Sequence, residues 1–226
     1  MIISVLVLIN IGCEDEVNND NNFFESKNIE NIGIEHNEYV NDYLNNTNNK
    51  FDNTSRLLND YYSYSITKNP ELQEYETLLM NHSNEFNVNL NLTDIYNYIE
   101  DELGLMKSQN EISDYMYSNL MNILDNPTLE NAREQITIMQ NNQDLNENEK
   151  QRLNAFVKVL NASDVFWNNN NYIPKNDECD GIDKTEATII ADAIGGALWS
   201  WTGAAAPLIA GGYSLAMYNG VADCID

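Results

Sequence analysis

Basic side chains are scarce. The chain has 11 Lys and Arg against 36 Asp and Glu, with no basic cluster, and its formal charge is −25. A surface of that sign cannot neutralise phosphates, so nucleic-acid partners are excluded. Histidine is scarcer still, at two residues, and cysteine numbers three, which leaves few candidates for a zinc site or a Ser/Cys–His triad. No Gly-rich phosphate loop and no Gly-X-Ser-X-Gly element occurs. No residue is assigned a catalytic, cofactor-binding or metal role, and the reading is of a non-enzyme. Full disorder is excluded as well, because 42% of the residues are hydrophobic and 10% aromatic, enough to build a core in a chain of this length.

What is abundant is asparagine, with 39 residues, of which 38 fall before position 177. That many should produce about four Asn-X-Ser/Thr sequences by chance, so the five present, at Asn45, Asn53, Asn81, Asn91 and Asn161, say nothing about glycosylation. Residues 1–12 are an apolar run of signal-peptide length, too short to span a bilayer. Gly12-Cys13 followed by Glu14-Asp15-Glu16 resembles the end of a bacterial lipoprotein signal, which implies lipidation at Cys13 and a membrane partnership through that anchor. No Lys or Arg precedes the run, and Asn10 stands where Leu is usual. With Cys13 so assigned, Cys179 and Cys224 remain as a disulfide candidate in an oxidising compartment. Such a bridge would contribute on the order of 3–4 kcal/mol in the chain-entropy model. Residues 13–30 are acidic and Asn-rich and are expected to be a disordered tether.

From residue 31 to 176 the apolar spacing is helical. Ile32, His36, Tyr39, Val40, Tyr43 and Leu44 share a face, and Leu57, Leu58, Tyr61 and Tyr62 share another. Proline at position 70 suits a first helical turn. A helix through Leu92, Ile95, Ile99 and Leu103 is expected to start near Thr93 or Asp94 and stop at Gly104. Further stripes lead to a helix over about 147–168, where Asn146 and Glu149 form a variant capping box. Sustained period-2 alternation is absent. The fold class is all-α, a multi-helix bundle with a small-residue helical hairpin at its C-terminus.

That hairpin occupies residues 177–226. Ala187, Ala191 and Gly195 form one row at four-residue spacing, and Gly212, Ala216 and Gly220 form a second. Each row lies on one helix face, and the two smooth faces are expected to meet, with arms over about 185–202 and 207–221 separated by Gly203 and Pro207. Residues 193–221 carry no charge, which on length alone allows a membrane span. The short arms and Asp192 favour burial within the protein instead.

Few polar groups stand out. His36-Asn37-Glu38 cannot converge on one metal from consecutive helical positions, so His36 is expected at the edge of the core. His82 reads as a solvated helix position. Asp144–Asn148 imitates the start of a calcium loop but has Glu149 at its sixth position and Ala155 at its twelfth, where Gly and Glu are needed. The acidic residues around Asp177 to Glu186 suggest at most weak calcium binding. Trp199 and Trp201 could line a sugar or lipid site or serve as packing.

Ile32–Glu38, Val159–Ser163 with Phe166-Trp167, and Ala191–Ala197 together resemble an uncharacterised group of Bacteroidota envelope proteins with a Gly-x-x-His-Asn first helix and a glycine/alanine-rich C-terminus. The resemblance implies a cell-envelope, cell-surface or secreted location and no established activity. The expected function is therefore binding, with an unknown protein or surface partner that is cationic or neutral. The alternative is a bacteriocin-like toxin whose C-terminal hairpin inserts into membranes. A hydrolase built on Glu/Asp pairs is a third class, without a motif behind it.

Overall fold

A computed structural model describes residues 21–48, 50–170, 172, 178–179 and 182–222. The chain is an all-α bundle. Its helices are α1 (Asn21–Asn46), α2 (Thr54–Lys68), α3 (Glu76–Glu85), α4 (Leu92–Ser108), α5 (Asp114–Asp125), α6 (Leu129–Gln140), α7 (Glu147–Asn170), α8 (Lys184–Trp199) and α9 (Ala206–Ala222). Short 3-10 segments precede α3 (Pro70–Tyr75) and join α8 to α9 (Ser200–Ala205). Two-residue strands, β1 (Glu178–Cys179) and β2 (Ile182–Asp183), pair antiparallel ahead of α8. Cys13, Cys224 and residues 1–12 lie outside the described residues, and with them the expected signal, lipid site and disulfide.

Asparagine, a poor helix-interior residue, is put to use at the helix starts. Asn53 accepts from the Arg56 N–H at 3.0 Å, and Asn91 from the Asp94 N–H at 2.9 Å. Ser113 and Thr128 cap α5 and α6 in the same way. At α7 the capping box is reciprocal. Asn146 Oδ1 accepts from the Glu149 N–H, and Glu149 Oε2 accepts from the Asn146 N–H, both at 3.0 Å. The calcium-loop imitation at 144–148 is thus a helix start.

Two helix limits differ from expectation. Helix α4 begins after Asn91 and runs through Gly104, around which a Cβ would meet nothing within 4 Å. Nothing there forces the helix to stop. Helix α1 begins at Asn21, inside the stretch expected to be a tether. Ile29 and Ile32 bury against Ala155, Val159 and Ala206, which gives that acidic segment an apolar partner. Gly33 lets α1 and α7 come close, since a Cβ there would sit 2.5 Å from the Lys158 carbonyl oxygen of α7.

Helices α8 and α9 fold back on each other and pack with α1 and α7, while α2, α4, α5 and α6 also reach this central group. In α8 every residue from Ala187 to Leu198 is buried, as is every residue of α9 from Ala206 to Met217. A helix apolar all round belongs in the middle of a protein or in a bilayer. Here it is the middle, and one continuous core runs from Val40 to Met217. No helix among the described residues is long and apolar enough to cross a membrane.

At their glycines the small-residue rows meet large side chains and not each other. A Cβ on Gly195 would lie 2.7 Å from the Tyr213 ring, on Gly212 2.8 Å from Leu58, and on Gly220 2.6 Å from Ile95. Gly195 therefore seats a tyrosine of α9, whereas Gly212 and Gly220 face α2 and α4. Ala187, Ala191 and Ala216 are fully covered. The gaps beside the glycines are filled by large side chains from other elements, because a central helix is approached from several sides.

Candidate functional site

Among the described residues, side chains that can do chemistry gather in two buried polar groups and around two adjoining surface clefts. In the first group, Gly33 brings α1 against α7, and Asn37 Nδ2 donates to the Ala162 carbonyl at 2.9 Å while its Oδ1 meets His36 Nδ1 at 2.9 Å. His36 Nε2 then points to Asp192 Oδ2 at 3.5 Å, with both side chains fully buried. Trp167 Nε1 donates to the same oxygen at 3.0 Å. Burial raises the Asp192 carboxyl above the ordinary range, opposed by His36, by the nearby Ser214 and Ser163 hydroxyls and by the Trp167 donor. This group ties α1, α7 and α8 together in the dry centre. It is sealed from solvent, so it positions helices and does not meet a substrate.

The second group surrounds His82, which is buried, not solvated. Nδ1 lies 2.8 Å from the Tyr62 hydroxyl, and rings of Trp199, Tyr213, Phe86 and Tyr62 enclose the imidazole at 4.9 to 6.0 Å. Desolvation pushes its pKa down to about 3, so the ring is neutral.

The cleft lies where α8 gives way to α9. Gly203 has φ 62° and ψ −125°, a conformation open to glycine alone, and it breaks the helical path just after Trp201, whose neighbours Ser200 and Thr202 stay buried. Trp201 is 53% exposed and stacks on Trp199 with centroids 5.9 Å apart and planes 26° from parallel. Trp199 is held from within, its Nε1 donating to the Tyr213 hydroxyl at 3.3 Å. Arg152 of α7 anchors the other side. Its nearly buried guanidinium donates to the Ala197 and Leu198 carbonyls at 3.2 and 2.7 Å, satisfying the end of α8, and to Glu111 Oε2 at 3.0 Å. Asn110 takes φ 60° at the turn after α4, and Asn146 and Asn148 come from the start of α7.

Together Asn110, Glu111, Asn146, Glu147, Asn148, Arg152 and Trp201 line a cleft of about 620 Å³. A smaller one of about 190 Å³ shares Glu111 and Trp201 with it and adds Glu85, Glu102, Leu105 and Trp199. Burial, then the neighbouring Glu85, raises the Glu102 carboxyl above the ordinary range. Leu105 is also exposed, so the second cleft has an apolar rim.

Of the residues singled out in the sequence, Trp199 and Trp201 lie at this site and His36 does not. Arg152 and Glu111 were not foreseen, being 41 positions apart on elements whose packing no local pattern reveals. Asp183 and Glu186 of the acidic cluster bind protein groups: Asp183 accepts from the Glu186 N–H at 2.9 Å, and Glu186 from the Leu129 N–H at 3.3 Å. Among the described residues no group of three His, Cys, Asp or Glu could hold a metal ion. A scan against family models returns no match, and searches of curated proteins and of solved structures return none either.

Proposed function

We propose that this is a non-enzymatic envelope protein, lipid-anchored through Cys13 or secreted, that works by capturing a ligand in the Trp201 cleft. The observation that supports the reading most is the exposed indole itself. A tryptophan carries a large apolar face, and leaving it in water beside a concave surface forgoes the stabilisation that burial would give. The kink at Gly203, the stacked Trp199 and the capped end of α8 hold it there on rigid elements, which is how binding groups are kept ready. In the same reading a Cys179–Cys224 bridge ties the start of α8 to the chain beyond α9. The membrane-inserting toxin is the weaker reading, since α8 and α9 supply the core that the other helices pack on.

Quenching of tryptophan fluorescence by acrylamide, compared between the wild type and Trp201→Phe, isolates the Trp201 signal. The expected result is that a cell-envelope extract shields Trp201 and is recovered chemically unchanged. An extract that leaves Trp201 fully quenchable overturns the cleft as a binding site, and turnover of the extract overturns the non-enzymatic part. Mass spectrometry showing an unmodified Met1 on the mature protein overturns export and anchoring.

A further inference from the structure

The larger cleft is less anionic than a chain of net charge −25 would suggest. Glu111 is paired with Arg152 at 3.0 Å, and Glu147 with Lys150 at 2.7 Å. Both carboxylates lining it therefore already have a cation, and a positively charged ligand would have to compete for them. What remains on offer is the amides of Asn110 and Asn148, each both donor and acceptor, and the Nδ2 donors of Asn146, whose Oδ1 caps α7, together with the flat face of Trp201. A phosphorylated ligand is disfavoured by the overall charge. The chemistry that fits is a neutral molecule with many hydroxyls around the edge of a ring whose faces are apolar. Such a ring stacks on an indole while its hydroxyls bond to amides.

The two clefts share Trp201 and Glu111, so a ligand longer than one ring can pass from one to the other along the indole. The smaller cleft adds the carboxyls of Glu85 and Glu102, which can accept hydrogen bonds from hydroxyls, and the apolar surface of Leu105 and Trp199. We propose that the ligand is a neutral oligosaccharide, with one ring stacked on Trp201 and its neighbour in the second cleft. This rests on the binding reading above and names its ligand class. The rival is a cationic peptide drawn by the carboxylates.

The test uses the full chain and a water-soluble envelope fraction that shields Trp201. The fraction is divided into portions treated with protease, with periodate (which cleaves vicinal diols), or with neither. Shielding that survives protease and is lost after periodate supports the proposal. Shielding that survives periodate, or is lost to protease, overturns the ligand class while leaving the cleft as a binding site. No shielding by the untreated fraction overturns both. For the span, binding of purified neutral oligosaccharides prepared from that fraction is measured by calorimetry as a function of chain length. Affinity is expected to rise at least about tenfold from one ring to several, to fall at least about tenfold in Trp201→Ala, and to be insensitive to salt. Val165→Ser, at an exposed apolar position of α7 outside the clefts, leaves it unchanged. Equal affinity for one ring and for several overturns the two-cleft span, and tighter, salt-sensitive binding of trilysine overturns neutrality.

Discussion

Acidification should destabilise the fold through His82. An unfolded histidine titrates near 6.5, whereas the folded ring, stripped of water by four aromatic neighbours, is held down to about 3. Between those values the unfolded chain binds one proton that the native state refuses. Stability contributed by this site is therefore intact above about pH 6.5 and is lost as pH falls toward 3, at about 1.4 kcal/mol per pH unit. By pH 4.5 the loss is about 2.7 kcal/mol, a large part of a typical domain's stability. Other groups act in the opposite sense. Asp192, Glu102 and Glu186 have carboxyls raised by burial, so each gains a proton in the native state first and contributes stability as pH falls through its raised value. The His82 effect is isolated by comparing wild type with His82→Gln, whose amide can still meet the Tyr62 hydroxyl and never becomes charged. Urea unfolding at half-unit steps from pH 7 to 4.5 gives the two curves. His82→Gln is less stable at pH 7, and the gap is expected to close by about 1.4 kcal/mol per unit below pH 6.5. Parallel curves, or a His82 ring resonance that titrates near 6.5 in the folded protein, would refute the reasoning.

The remaining predictions concern packing and backbone. Gly195→Ala places a methyl against the Tyr213 ring and should cost about 1–3 kcal/mol by chemical unfolding, whereas Gly104→Ala, in open space on α4, should add about 0.4–1 kcal/mol. Gly203→Ala imposes a side chain on φ 62° and should cost about 1–3 kcal/mol, with a changed acrylamide accessibility of Trp201 if the kink sets its position. Asp192→Ala leaves the Trp167 N–H and His36 without their buried partner and should cost about 3–5 kcal/mol. Asp192→Asn, which keeps an oxygen for Trp167, should cost measurably less in the same assay.

The helices were legible because most bury one face, so that Leu57, Leu58, Tyr61 and Tyr62 or Ile95, Ile99 and Leu103 repeat at helical spacing. The capping box at Asn146 was legible for a similar reason, its partners being three residues apart. What failed was of a different kind. Four-residue spacing in Gly212, Ala216 and Gly220 identifies a face but not the neighbour that will cover it, and for α9 the neighbours are α2 and α4 as well as α8. His82 looked solvated because Asn81 and Ser83 flank it, yet α3 is short and turns the imidazole inward onto Tyr62. Gly104 carried a stop signal only on the assumption that glycine must be doing something at that position. Of the cleft, the two tryptophans were visible and the rest was not. Arg152 reads in sequence as a charged residue on an amphipathic helix, and only the end of α8 lying beside it turns it into a cap.

The position of the cleft follows from how the core is closed. A buried helix that ends inside a protein leaves carbonyls that must find donors. Here α8 ends beneath the surface, and the Ala197 and Leu198 carbonyls are met by Arg152, which in turn holds Glu111. Gly203 then redirects the chain into α9, so the turn between two buried helices reaches solvent at Trp201. The same few residues thus complete the hydrogen bonding of the core and line the cleft. It follows that changes on the exposed side, at Trp201 or Asn148, can alter the cleft at little cost to the fold, whereas Asn146 also caps α7. Changes at Arg152 would strike both at once, because the Leu198 carbonyl and the Glu111 carboxylate would lose this donor together and the Ala197 carbonyl would keep only the Ser200 hydroxyl.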